Sequence, residues 1–315
     1  MSIISIFNGF PFHHETFGVF LYFFTTAMSF KEIRIYTNPD GQMKWLDYYV
    51  SKFTTPSCCI KIYPHTEFKE PEFLESAHVI LATDDDPHFP MEFMKLPDAH
   101  KKVISYDHNI ALRQPNVSKH ITTRPYFNDE RKNTPFMYPI YPIISLEDKR
   151  HSLASESTIN IAVVGGSWNT NHFWRYLFPN NNMNDIKIFF IHRNQPGIWG
   201  RMDRYVKSIC KNTEIYNDCD TFQLLELLKR SHYVAFLTDI DQFAFHSCSG
   251  SVGLAFNTGC TLLLTKKYNS EYRFRNVVYF DDCPKLVSEL NEDIFKERDE
   301  LIHVGCEALL KTKDA

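Results

Sequence analysis

Apolar and polar positions along this chain follow two alternating periods. SIISIF (2–7), EIRIYTN (32–38), CCIKIYP (58–64), HVILATD (78–84) and KVISYDH (102–108) are short, β-rich apolar runs of strand length. Between them lie stretches of helical length or spacing: ETFGVFLYFFTTAM (15–28), MKWLDYYVSKF (43–53), EFLESA (72–77) and EFMKL (92–96). Residues 128–150 break the rhythm, first charged, then rich in proline and aromatics. Proline fixes φ and removes a backbone donor, so this stretch is expected to be extended connecting chain. The rhythm then resumes. Strands are expected in TINIAVVGGS (158–167), IKIFFIHR (186–193), TEIYND (213–218), HYVAFLTD (232–239), CTLLLT (260–265) and NVVYFDD (276–282). Helices are expected in TNHFWRYLF (170–178), MDRYVKSIC (202–210), TFQLLELLKRS (221–231), PKLVSEL (284–290) and ERDELIHVGCEALLK (297–311).

This repetition predicts an α/β protein of two tandem, doubly wound, Rossmann-like domains, each a mostly parallel sheet covered by helices. The expected halves are 1–145 and 155–315, joined by a linker at about 142–157, with a closing C-terminal helix. At 315 residues the chain is long enough for two cores. Ligands of such sheets bind beyond the carboxyl ends of the strands, so the residues following each strand are the candidates for chemistry. In two facing domains those edges can converge on one cleft.

Charge and composition narrow the classes. The net charge is −4, with no basic excess to hold a phosphate backbone, which excludes extended nucleic-acid binding. The eight cysteines form no C-x-x-C pair and read as reduced thiols of a cytosolic protein. The apolar run 17–28 is shorter than a membrane span, and no Lys or Arg precedes it as in a signal peptide. It reads as a buried helix. Peripheral membrane contact stays open: the aromatics suit it, and the acidic balance argues against electrostatic docking.

In the first half, His13, His14 and Glu15 follow the first strand. Asp84, Asp85 and Asp86 follow the fourth, and Asp107 and His108 end the fifth. Histidine suits proton transfer near neutral pH, and a carboxylate can take a proton from a hydroxyl. A helix cap or a solvated acidic loop would use the same residues. In the second half Gly165, Gly166 and Ser167 form a glycine turn at a strand end, and His192 and Arg193 end the next strand. Asp239 ends another, ahead of Ser249, Gly250 and Ser251. Free amides at a helix start favour an anion. No G-x-G-x-x-G and no Walker loop is present, which argues against a nicotinamide dehydrogenase.

The stretch SGSVGLAFNTGCTLLL (249–264) runs loop, small-residue helix, glycine, strand. It resembles the last nucleotide-binding unit of the GT-B glycosyltransferases. The resemblance covers most of the chain as architecture and about 30 residues as motif. It implies a sugar transferase that moves a sugar from a nucleotide-diphosphate donor, UDP- or GDP-linked, to an acceptor hydroxyl on a glycan, glycoprotein or glycolipid. It implies no metal and no bound cofactor, and an inverting displacement is expected. Ser249, Gly250 and Ser251, with Gly165, Gly166, Ser167, His192, Arg193 and Asp239, would serve the donor. His14, His13, Asp85 and Asp86 are the candidate bases. Many retaining members carry a Glu-x7-Glu pair here; the matching positions are His246 and Leu254, which leaves the donor nucleotide and the stereochemical course open. A nucleotide-sugar epimerase of the same architecture and a non-catalytic bilobed sugar- or nucleotide-binding protein are the alternatives.

Overall fold

In a computed structural model of the chain, the strands assemble into two parallel sheets of six. The structure describes residues 3–10, 15–28, 30–39, 43–83, 86–109, 116–126, 133–164, 180–192, 207–208, 210–236 and 250–314. These fall into two compact units. The first holds the described residues up to Tyr141 and, from Leu301, the end of the last helix; the second holds those from Pro142 to Glu300.

The first sheet contains β1 (Ile3–Asn8), β2 (Glu32–Thr37), β3 (Cys59–Pro64), β4 (Ser76–Leu81), β5 (Val103–Asp107) and β6 (Lys119–Thr122). Their order is β3-β2-β1-β4-β5-β6, the Rossmann arrangement, whose direction of winding reverses between β1 and β4. Apolar runs rather than alternation mark these strands because both faces of a parallel sheet are covered. Five of the six β1 residues are buried. Helix α1 (Glu15–Thr26) lies in this unit, with Phe17, Val19, Phe20, Leu21, Phe23 and Phe24 at 1% exposure or less. Twelve residues give about 18 Å of helix, and apolar character on all sides marks a buried element. Among the described residues no helix is long and apolar enough to cross a membrane.

Gly18 is a point of close approach between α1 and the chain near Tyr141. A Cβ there would lie 2.2 Å from Tyr141 Cζ. The Tyr141 hydroxyl donates to that of Tyr49 (2.8 Å) in helix α2 (Met43–Phe53). Gly18→Ala is therefore expected to push the ring off its partner and cost about 2 kcal/mol, as overpacking does. Chemical denaturation of the variant checks this; an unchanged midpoint would show that the ring moves freely.

The short helices α3 (Glu70–Glu75) and α4 (Ala99–Lys102) follow among the described residues before Tyr141. An aromatic core of Phe7, Tyr36, Phe68, Phe73, Phe89 and Phe93 packs against this sheet.

The second sheet contains β7 (Ile159–Val164), β8 (Ile186–His192), β9 (Thr213–Asn217), β10 (Tyr233–Ala235), β11 (Thr261–Leu264) and β12 (Val277–Tyr279). Its order, β12-β11-β10-β7-β8-β9, repeats the first, with the switch point between β7 and β10. Its helices are α5 (Leu146–Ala154), α6 (Thr221–Lys229), α7 (Gly250–Asn257), α8 (Lys266–Tyr272) and the first part of α9 (Asp293–Asp314).

Several segments differ from their sequence reading, β6 (Lys119–Thr122) and α8 (Lys266–Tyr272) among them, where no element was expected. Residues 142–157, expected as extended connection, contain α5, capped by the Ser145 hydroxyl accepting from Asp148 N. Its polar sequence hides a buried face, Lys149 and Leu153. Residues 284–290, expected as helix, are irregular. There the backbone is bonded to side chains instead: Val287 N donates to the Tyr233 hydroxyl, and Leu286 N to Asn181 Oδ1. Residues 92–96, expected as a helix, form most of a short 3₁₀ turn, Met91–Lys95. The helices expected at 170–178 and 202–210 fall almost wholly outside the described residues.

Candidate functional site

The carboxyl edge of the first sheet at its switch point is built by the residues that follow β1 and β4. Asp86, 1% exposed, ties them together. Its Oδ2 accepts from Gly9 N (2.6 Å) and its Oδ1 from His88 N (3.0 Å). The Thr83 hydroxyl approaches the same carboxylate (3.4 Å) and Asn8 Oδ1 (3.5 Å). Asn8 Oδ1 also accepts from Phe10 N, and Asn38, just past β2, donates through Nδ2 to Gly9 O. Both Asp86 oxygens thus hold backbone N–H groups from two loops. That arrangement fits Asp86 to position the loops.

Gly9 has to be glycine here. A Cβ on it would lie 2.4 Å from His88 Cβ and 2.9 Å from Asp86 Oδ1. The β4 loop is packed directly on the backbone of the β1 loop. His88 itself is exposed. Its ring meets Phe10 edge-on (centroids 5.9 Å, interplanar 81°) and that of His65 (5.0 Å, 64°). His65 directly follows β3, and its Nδ1 is buried with no hydrogen-bond partner among the described residues. Neither histidine stood out in the sequence. The signal was present: both follow strands, in YPHTEF and DDDPHFP, where the carboxyl-edge rule points.

The other candidates of this half are placed differently. Asp107 is fully buried and accepts from the Ser105 hydroxyl (2.6 Å), with His120 Nδ1 at 3.0 Å. His120 Nε2 lies 2.7 Å from Val117 O. Both ring nitrogens of His120 thus lie within hydrogen-bond distance of acceptor groups. His108 is buried against Tyr106. His13, His14, Asp84 and Asp85 lie outside the described residues.

On the second sheet, α7 begins at the corresponding edge. The Ser251 hydroxyl donates to Val164 O (3.1 Å), the last residue of β7. This hydrogen bond fixes the first turn of α7 beside the switch point. Val252, Gly253, Ala255 and Phe256 are buried, so the small side chains let the helix pack close to its sheet. Gly259 ends the turn at φ +64°, and a Cβ there would strike the Phe295 ring. His192 closes β8, 5% exposed, with its ring against Phe190 and its carbonyl accepting from Asp218 N. Gly250 and Ser251 are thus at the start of α7, and His192 is at the neighbouring strand end. Gly165, Gly166, Ser167, Arg193, Asp239 and Ser249 lie outside the described residues.

No family model matches this chain, and no curated protein matches it by sequence. Solved structures do. Anabaena Alr3699/HepE, in complex with UDP-glucose, superposes with a TM-score of 0.63 at 9% identity, over 100% of both chains. AviGT4, a glycosyltransferase involved in avilamycin A biosynthesis, gives 0.52 at 11%, covering 100% of this chain and 97% of that one. The UDP-GlcNAc 2-epimerase of Neisseria meningitidis, bound to UDP-GlcNAc, gives 0.52 at 10%, covering 99% and 100%. The chain has the two-unit α/β fold of these GT-B-like proteins.

Proposed function

We propose that this chain is a metal-independent glycosyltransferase that transfers a sugar from a nucleotide-diphosphate donor to an acceptor hydroxyl. The second unit takes the donor and the first the acceptor. The observation that carries this reading is the start of α7, tethered through Ser251 to the end of β7 at the switch point. Backbone N–H groups there, with the helix dipole, suit the departing diphosphate. Ser249, Gly250 and Ser251 would line it, with Gly165, Gly166 and Ser167 from the β7 loop and His192, Arg193 and Asp239 around the nucleotide. The whole-chain likeness to a protein solved with UDP-glucose supports a nucleotide-sugar ligand. The likeness to an epimerase, also over the whole chain, favours one second reading: the same donor, inverted at one carbon without an acceptor.

A panel of UDP- and GDP-sugars tests both. Nucleotide at a hundredfold excess over its Kd should stabilise the protein by about 2.7 kcal/mol, seen as a higher melting temperature. Nucleotide release that depends on an added glycan acceptor is the expected result. An altered sugar formed from donor alone would replace transfer with epimerisation. Stabilisation by free sugars alone, without turnover of any donor, would overturn both readings.

A further inference from the structure

An exposed histidine side chain ordinarily turns among rotamers. His88 is exposed and nevertheless held on three sides. Its backbone N–H donates to Asp86 Oδ1, its Cβ rests on the Gly9 backbone, and its ring is flanked by Phe10 and His65. Asp86, in turn, is fixed by Gly9 N. The result is a solvent-accessible imidazole of restricted freedom at the β1/β4 switch point, where a sheet of this topology takes its ligand. A base that must meet one hydroxyl gains from such restriction, because its orientation is settled before the substrate arrives.

We propose that His88 is the catalytic base of the first unit, with Asp86 as its positioning residue. The identity of the substrate rests on the transferase reading above. In the step, the acceptor oxygen bonds to the anomeric carbon of the donor. The bond from that carbon to the phosphate oxygen breaks, and the nucleoside diphosphate leaves with the electron pair. The acceptor's proton passes to a ring nitrogen of His88 and from there to water. Asp86 and His65 are the titratable groups that face His88 among the described residues. Asp86 is committed to two backbone donors, Gly9 N and His88 N.

The test compares wild type, His88→Ala and His88→Gln under saturating donor and acceptor. Both variants should lose at least about a hundredfold in kcat, the range of general-base contributions. Their donor KM and melting temperatures should match wild type. Added imidazole should restore the rate of His88→Ala, in proportion to its free-base concentration. A loss that appears in KM alone, activity within threefold of wild type, or failure of imidazole to rescue would overturn the assignment. So would imidazole rescue of His14→Ala in place of His88→Ala. A wild-type protein that transfers from no donor defeats the transferase reading and His88 with it. An active wild type with an equally active His88→Ala defeats His88 alone.

Discussion

Lys149→Ala is expected to destabilise the protein by about 4 kcal/mol. Lys149 is fully buried in α5. Its ammonium donates to Leu228 O and Ser231 O, at and just beyond the end of α6, and to Cys260 Sγ (3.1 Å) ahead of β11. Three elements therefore meet at one charge. Burial pushes the pKa of this lysine down, and Cys260 opposes the shift. Truncation takes a charged donor from two buried carbonyls, at about 1.5–3 kcal/mol per hydrogen bond, and leaves a void. The gain from no longer burying an ammonium offsets part of this. Lys149→Met removes the same donor but fills the space, so it should lose about half as much. For a unit of this size 4 kcal/mol corresponds to a drop of roughly 10 °C, measurable by calorimetry. Equal stability of Lys149→Ala and wild type would mean that water replaces the ammonium.

Acidification should destabilise the fold between pH 6.5 and 4 through His232. This residue is 5% exposed. Its Nδ1 accepts from Asn160 N (3.0 Å), while its backbone N–H donates to Asn160 O. Burial, with the positive Lys149 nearby, holds the imidazole at a pKa of about 4, below its ordinary 6.5. A proton on Nδ1 would also face a backbone N–H. Between the two values the unfolded chain binds a proton that the folded chain refuses, so stability falls as pH drops through that window. A gap of 2.5 pH units corresponds to about 3 kcal/mol. His78, half-buried in β4 and also held at about 4 by desolvation and the nearby Lys313 and Lys119, acts in the same direction. His232→Asn keeps an acceptor for Asn160 and cannot titrate. Urea denaturation at pH 7 and 4.5 should show a smaller acid loss in this variant. An identical loss would place the effect on other groups.

The strands were legible because a parallel sheet buried on both faces demands apolar, β-branched residues over five or six positions, and the chain supplies them. Helix α6 was legible for a similar reason: Asp220 caps it, and four leucines repeat along it. Strand β6, KHIT, was not, being four residues long and half polar. Helix α5 was missed because LEDKRHS has the polarity of a surface loop. The candidate site divided in the same way. Ser251 and Gly250 were picked out as the start of a helix near a strand end, and they are found there. His88 and His65 were passed over because nothing local sets an imidazole apart. Asp86 was weighed as a base because an acidic triplet says nothing about its partners.

By itself the sequence determined the fold class, two Rossmann-like parallel sheets, and the order of most of their strands. Those properties depend on period and side-chain type, which neighbouring residues carry. Tertiary structure alone decided which polar residues were withdrawn from solvent and what they hold. Lys149 finds Ser231 across 82 positions, and Asp86 finds Gly9 across 77. A buried polar group survives only with its donors or acceptors in place, and those partners are set by the packing of distant segments.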